Sequence, residues 1–182
     1  MTIFAAAHPL LAEALGKRGF VNMTDVQSAV LADSCNNQDL LVSAQTGSGK
    51  TVAFGLSMAA QLLGPDAEND FPSQPAALII TPTRELALQV KTELDWLYAE
   101  AGLVLASAVG GMDIRTERRA LSGRVDILVG TPGRLVDHLN RNSFDPDNLR
   151  VVVLDEADEM LDMGFREDLE TLLRAHQNSG EH

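Results

Sequence analysis

Short apolar runs alternate with amphipathic stretches along this chain, and that alternation constrains the fold more than any other sequence feature. The runs are mostly apolar throughout, as strands buried on both faces of a parallel sheet are. They are Asp39–Ala44, Ala76–Thr81, Leu103–Val109, Val125–Gly130 and Arg150–Asp155. Repeated strand–helix units connect by right-handed crossovers. The sequence therefore predicts an α/β fold: a three-layer arrangement of a parallel sheet with helices on both faces.

The stretches between these runs carry helical periodicity. Within Thr83–Ala101, apolar side chains recur at the spacing of one helix face. Two short helices are expected before the first strand, at Pro9–Gly16 and Thr24–Asp33. We expect residues 1–36 to form a helical segment packed on the core, residues 37–176 the main domain, and residues 177–182 a tail.

Composition excludes several classes of protein. Fourteen basic residues against 26 acidic ones give a net charge of −12, which excludes nucleic-acid binding by bulk positive charge alone. One cysteine, Cys35, excludes an internal disulfide and a cysteine-based zinc site, and the four histidines are scattered. With no membrane-length apolar run and no signal-peptide pattern, we expect a cytoplasmic protein without a membrane partner.

The segment Ala44–Thr51 reads AQTGSGKT and lies between a predicted strand and a predicted helix. Glycines let backbone N–H groups turn inward around phosphate oxygens, and the helix N-terminus adds its positive dipole end. Lys50 can reach the outer phosphates, and the Thr51 hydroxyl can bind Mg²⁺. The alternative is a glycine-rich turn capped by Thr51.

A buried strand ends in two acidic residues in Arg150–Asp158, which reads RVVVLDEAD. Ligands of open α/β sheets bind at this carboxyl edge. Asp155 is suited to hold Mg²⁺ through water, and Glu156 to orient and deprotonate an attacking water. The alternative is an acidic helix N-cap. Both motifs belong on the same sheet edge, which weakens that alternative.

Together these segments resemble the DEAD-box ATP-dependent RNA helicases, over about Phe4 to Glu170. Further segments agree in order and spacing: TPTRELA at Thr81–Ala87, GG at Gly110–Gly111, TPGR at Thr131–Arg134 and MLDMGF at Met160–Phe165. The resemblance implies a RecA-like P-loop NTPase domain that uses ATP and Mg²⁺. It implies catalytic roles for Lys50, Asp155 and Glu156, with Thr51 and Asp155 as metal ligands, largely through water.

The resemblance also implies how ATP is held. The phosphate loop contributes Ala44, Gln45, Thr46, Gly47, Ser48, Gly49, Lys50 and Thr51. Upstream, Phe20 is expected to stack on adenine, Gln27 to bond the adenine edge, and Thr24 to support the phosphate loop. Met23 and Asp25 stand where the family usually has prolines. Without the resemblance, Phe20 and Gln27 would be interpreted as a packed aromatic and an exposed helix residue.

RNA contacts implied by the resemblance come from three loops, and they are backbone contacts that do not depend on base sequence. The matching residues are Pro82, Thr83, Arg84, Gly110, Gly111, Thr131, Pro132, Gly133 and Arg134. Asp158 matches a residue that couples the ATP site to RNA. We expect Met160, Met163 and Phe165 to be core residues.

The one local basic concentration comprises Arg115, Arg118, Arg119 and Arg124. It is either a surface that steers phosphates or a solvated helix face with local salt bridges, such as to Glu117. The second interpretation is favoured.

The resemblance implies that the full-length protein couples ATP hydrolysis to local separation of RNA duplexes. An alternative is an ATP-gated RNA clamp or ribonucleoprotein assembly factor. A P-loop ATPase acting on DNA or protein fits the motifs less well. We expect this chain to be a monomeric fragment that lacks the second RecA-like domain, its partner in cis, and that binds nucleotide with little turnover.

Overall fold

A computed structural model describes residues 6–32, 47–64 and 74–178. Its described strands form one parallel sheet in the order β2-β3-β1-β4. They are β1 (Ala77–Ile80), β2 (Leu105–Ala108), β3 (Ile127–Gly130) and β4 (Val151–Leu154). Each lies inside one of the predicted apolar runs. The predicted strand Asp39–Ala44 and Cys35 lie outside the described residues.

Helices connect the strands and precede them. They are α1 (Pro9–Lys17), α2 (Asp25–Val30), α3 (Lys50–Leu63), α4 (Arg84–Leu97), α5 (Ile114–Leu121), α6 (Pro132–Asn140), α7 (Ala157–Asp162) and α8 (Arg166–Asn178), with a short 3₁₀ helix at Pro146–Asn148. In the described ranges, no helix is long and apolar enough to cross a membrane. The last helix runs through Asn178, two residues into the segment that we expected to be a tail.

Two apolar clusters lie on the two faces of the sheet. Ile79 and Val129 point to the face covered by α1, α3 and α4, whereas Leu78, Ile80 and Leu128 point to the face covered by α5, α6 and α8. Successive strand residues alternate between faces, so uniformly apolar strands supply both clusters. The predicted three-layer α/β fold is confirmed.

The prediction that Met160, Met163 and Phe165 all lie in the core is only partly correct. Met160 is completely buried, and Phe165 packs against the second cluster. Met163, however, is 49% exposed, because α7 ends at Asp162 and the chain turns at Met163 and Gly164. A helical-face argument does not extend across that turn.

The strand register brings four loops to one edge of the sheet. Ile80 lies beside both Gly130 and Leu154, and Ala108 lies beside Gly130. The four strands therefore end at the same level. The segments that follow them, which begin at Thr81, Val109, Thr131 and Asp155, all leave from this edge.

Candidate nucleotide site and adjoining RNA-facing edge

Lys50 joins the start of α3 to the end of β4. Its Nζ lies 2.9 Å from Asp155 Oδ1 and 2.6 Å from Glu156 Oε1. Asp155 is buried, and its backbone N–H donates to the Ile80 carbonyl, which continues the sheet by one residue. The two predicted motifs therefore meet at the carboxyl edge of the sheet, as the sequence analysis expected.

This part of the site carries excess negative charge. Burial lowers the pKa of Lys50, but the hydrogen bonds that it donates to Glu156 and Asp155 outweigh that effect and raise the pKa above its ordinary value. Lys50 is thus a cation shared by two carboxylates. Burial, and secondarily the charge of Asp155, also raises the pKa of Glu93 on α4. A bound cation would offset this charge, so the donor set fits Mg²⁺.

Glu156 has an unusual backbone conformation. Its φ of 58° lies in the left-handed region, which costs a non-glycine residue roughly 1–2 kcal/mol. Glu156 occupies the N-cap position of α7, but its side chain makes no capping hydrogen bond within the described part of the chain. It binds Lys50 instead. The interpretation of this acidic pair as a simple helix cap is therefore wrong.

The described part of the phosphate loop is shaped to receive polar oxygens. Gly49, with φ of 78°, is the N-cap of α3, so the alternative of a turn capped by Thr51 is wrong. The Ser48 hydroxyl is buried and has no hydrogen-bond partner among the residues that the structure describes. An orphaned buried donor beside Lys50 fits a phosphate ligand. Ala44, Gln45 and Thr46 lie outside the described residues.

Gln27 connects the predicted adenine segment to the phosphate loop. Thr24 and Gln27 form a reciprocal capping box at the start of α2: the Gln27 N–H donates to Thr24 Oγ1 (3.3 Å), and the Thr24 N–H donates to Gln27 Oε1 (3.0 Å). Gln27 Nε2 also donates to the Gly49 carbonyl at 3.3 Å. Gln27 is buried, so its interpretation as an exposed helix residue is wrong.

Phe20 packs on α4. Its ring centroid lies 5.5 Å from that of Trp96, at an interplanar angle of 31°. The Arg18 guanidinium carbon lies 5.2 Å from the centroid of the Trp96 ring. Phe20 therefore packs against α4, whereas Gln27 bonds the Gly49 carbonyl at the start of α3.

The loops predicted to contact RNA meet one another. Gly111, with φ of 84°, leaves room for Arg84, whose Nη1 would lie 2.8 Å from a Cβ at this position. Arg84 Nη2 contacts Met112 Sδ at 3.6 Å, and Arg134 Nη2 donates to the Met112 carbonyl at 3.2 Å. The glycine loop is therefore held between two arginines that come from the other two loops.

The remaining predicted RNA residues differ in exposure. Gly110 and Gly133 are exposed, and Thr83 caps α4 by accepting from the Leu86 N–H at 3.3 Å. Pro82 and Pro132 are buried and shape the turns. Thr131 is the N-cap of α6, and Asp158 is exposed in the first turn of α7.

Sequence reasoning missed the role of Glu117. This carboxylate is 6% exposed and accepts hydrogen bonds from Val109 N–H, Arg134 Nη1 and His138 Nε2. Ile114, Glu117 and Leu121 share a helix face, and that spacing could have indicated that Glu117 is buried, although not which residues it contacts. Three arginines of the basic cluster are exposed on α5, as a solvated face predicts, but Glu117 pairs with Arg134 rather than with them: Arg115, Arg118 and Arg119.

The fold and the site define an α/β domain in which the loops and a lysine–carboxylate cluster gather at the carboxyl edge of a parallel sheet. Residues 24–181 match the DEAD/DEAH box helicase family, and the chain belongs to that family. It is 44% identical over 170 residues to the ATP-dependent RNA helicase RhlB of Serratia proteamaculans, which covers 93% of this chain and 40% of the relative. RhlB of Proteus mirabilis is 41% identical over 177 residues, 97% of this chain and 41% of the relative.

Solved structures agree. The yeast DEAD-box splicing factor Prp28 superposes with a TM-score of 0.86 at 30% identity, covering 96% of this chain and 42% of Prp28. A DEAD box protein from Methanococcus jannaschii has a TM-score of 0.80 at 36% identity, covering 93% of this chain and 45% of that protein. These neighbours confirm the RecA-like fold. The chain spans about two fifths of the length of the curated relatives it matches.

Proposed function

We propose that this chain is the ATP-binding and RNA-binding first domain of an ATP-dependent RNA helicase. The observation that carries the proposal is the position of Lys50 between Asp155 and Glu156, on the sheet edge from which the three RNA-facing loops also leave. The RhlB relatives carry the name ATP-dependent RNA helicase, which supports this assignment.

In this proposal the nucleotide phosphates take over part of the role that the carboxylates have toward Lys50. Lys50 donates to the outer phosphates, and so does the Ser48 hydroxyl, which has no hydrogen-bond partner within residues 6–32, 47–64 and 74–178. Thr51 and Asp155 would hold Mg²⁺ largely through water, and the ion would supply neutralisation of phosphate charge. Glu156, freed from Lys50, orients a water and accepts its proton.

Adenine recognition falls to Phe20 and Gln27. An amide offers one donor and one acceptor, which complement adenine N6 and N7. The Gln27 oxygen accepts one hydrogen bond from Thr24 and its NH₂ group donates one to Gly49, so a second N–H and a second oxygen lone pair remain for adenine. Base recognition and phosphate-loop conformation are thereby linked through one side chain.

RNA binding falls to the loops around the glycine pair. Arg84 and Arg134 supply charge, and exposed backbone at Gly110, Gly111 and Gly133 approaches phosphates and sugars. In the whole protein, Asp158 and a second RecA-like domain in cis would couple this surface to hydrolysis of ATP. We expect these 182 residues by themselves to bind nucleotide with little turnover.

Calorimetric titration with ADP and with GDP, each with Mg²⁺, tests the nucleotide site. We expect ADP to bind more tightly than GDP, and Lys50→Ala to abolish binding of both. Lys91→Ala is the matched control, because Lys91 pairs with Asp95 on α4 and should leave binding unchanged. Nucleotide binding that survives Lys50→Ala would contradict the proposed site.

Glu156→Gln separates binding from hydrolysis. In the full-length protein it should block ATP turnover and retain ATP-dependent RNA binding, because it keeps the side-chain shape but loses the proton acceptor. Normal turnover by this variant would contradict the role of Glu156.

A further inference from the structure

We propose that Glu117 is a positioning residue that holds the glycine loop and the first turns of α6 in one arrangement competent to bind RNA. The inference deepens the proposed RNA-binding function and rests on it. Glu117 itself is buried and does not touch RNA.

Three donors from two segments converge on this carboxylate. The Val109 N–H, at the start of the glycine loop, donates to Oε2 at 2.7 Å. Arg134 Nη1 and His138 Nε2 lie 3.0 Å and 2.9 Å from Oε1. Arg134 and His138 are four residues apart on α6, so both reach the same oxygen.

Arg134 closes this arrangement into a ring. Its other terminal nitrogen donates to the Met112 carbonyl, on the far side of the glycine pair from Val109. The guanidinium is a rigid planar fork, so its two bonds fix the loop and the arginine relative to each other. Glu117 therefore binds the start of the glycine loop, at the Val109 N–H, and also binds Arg134, which donates to the Met112 carbonyl at the end of that loop.

The negative charge of Glu117 lets RNA binding distinguish a positioning role from a purely electrostatic one. A carboxylate beneath a phosphate-binding surface repels RNA, so its removal should tighten RNA binding if electrostatics alone mattered. If Glu117 positions the loop, its removal should instead weaken RNA binding. A buried carboxylate also leaves its donors unpaired when it is removed, which releases the loop.

Glu117→Gln changes the oxygen that both Arg134 and His138 contact. The amide keeps an oxygen for the Val109 N–H but places an NH₂ group toward Arg134, where a donor meets a donor. Glu85→Gln is the matched control, because it makes the same charge change on an exposed residue beside Arg84. His138→Phe is the second variant: His138 is fully buried and bonds Glu117, so it cannot contact RNA itself.

The experiment measures binding of single-stranded oligouridylate and of Mg²⁺-ADP, together with hydrogen exchange at the amides of residues 109–112 without RNA. We expect Glu117→Gln to weaken RNA binding about tenfold, with ADP affinity unchanged and faster exchange in the loop. Glu85→Gln should bind RNA as well as the parent or better. His138→Phe should weaken RNA binding in the same direction, and it decides the matter if Glu117→Gln loses ADP binding through misfolding.

Unchanged or tighter RNA binding by both Glu117→Gln and His138→Phe would overturn the inference. If the parent chain binds ADP but no RNA, the proposed RNA-binding function fails by itself. Hydrogen exchange then decides whether Glu117 positions the loop: faster exchange at residues 109–112 in the variants supports that role, and unchanged exchange overturns it.

Discussion

Gly49 shows how one backbone position can serve two parts of a site. Its positive φ ends the phosphate loop and starts α3, and its carbonyl accepts from Gln27. A Cβ at Gly49 would lie 3.2 Å from Thr24 Oγ1 and would overlap Gln27 Nε2. The predicted adenine segment can approach the predicted phosphate loop this closely only because no side chain separates them.

We predict that Gly49→Ala weakens ADP binding at least tenfold and lowers the melting temperature. The left-handed backbone costs alanine roughly 1–2 kcal/mol before the overlap with Gln27 is counted. Gly16→Ala is the control, since a Cβ there meets no atom within 4 Å and alanine favours the helix by up to about 1 kcal/mol. ADP titration and thermal unfolding of both variants check this; equal behaviour of the two would contradict it.

The sequence allowed us to predict contacts between residues that belong to recognisable motifs at the strand ends. Lys50, Asp155 and Glu156 could be brought together on paper, because strand ends of a parallel sheet share an edge. The contacts of Glu117 could not, because Arg134 and His138 reach it from α6 and no local spacing encodes that crossing. The capping box of Thr24 and Gln27 was readable locally, but the bond from Gln27 to Gly49 was not.

Packing between α3 and α4 depends on a small residue at Gly55. A Cβ there would lie 2.7 Å from Leu97 Cδ2 and 2.8 Å from Leu94 Cδ2. The buried Tyr98 hydroxyl donates to the Gly55 carbonyl, and burial raises the pKa of this tyrosine. The two helices thus approach closely at a point where they also share a hydrogen bond.

Gly55→Ala should therefore lower the free energy of unfolding by about 1–3 kcal/mol through overpacking, although alanine is the better helix former. Ser57→Ala on the same helix serves as the control, because its hydroxyl only bonds back to the Phe54 carbonyl. Urea unfolding measures both. A Gly55→Ala variant more stable than the parent would show that the leucines move aside without cost.

Element boundaries were less predictable than element types. The apolar spacing in Thr83–Ala101 extends to Ala101, but α4 ends at Leu97 with Tyr98 as its C-cap. Periodicity reports which residues face the core, and the turn at Ala99–Gly102 keeps Ala101 against that core without helical backbone. The apolar core therefore continues to Ala101, beyond the end of α4 at Leu97.

At the scale of the whole molecule, an acidic protein is proposed to bind a polyanion. Net charge of −12 opposes approach of RNA, so binding depends on a few local contacts. Arg84 and Arg134 are the two charged residues in the proposed interface, and the arginines of α5 point to solvent.

A salt titration of RNA binding tests this distribution of charge. With two phosphate contacts, the logarithm of the binding constant should fall with the logarithm of salt concentration with a slope of about −1.4. Replacing Arg115, Arg118 and Arg119 together by glutamine should leave that slope unchanged. A parent slope near about −3.5 that this triple variant flattens would instead mean that the α5 arginines bind RNA.

The common level at which β1, β2, β3 and β4 end has an evolutionary consequence. Each strand is four residues long, and side chains alternate between faces. One residue inserted into β4 would turn Asp155 toward the opposite face, and two would carry it about 7 Å past its neighbours. A change of strand length that keeps this site must therefore be accommodated at the opposite edge of the sheet, because the shared register aligns the four strand ends.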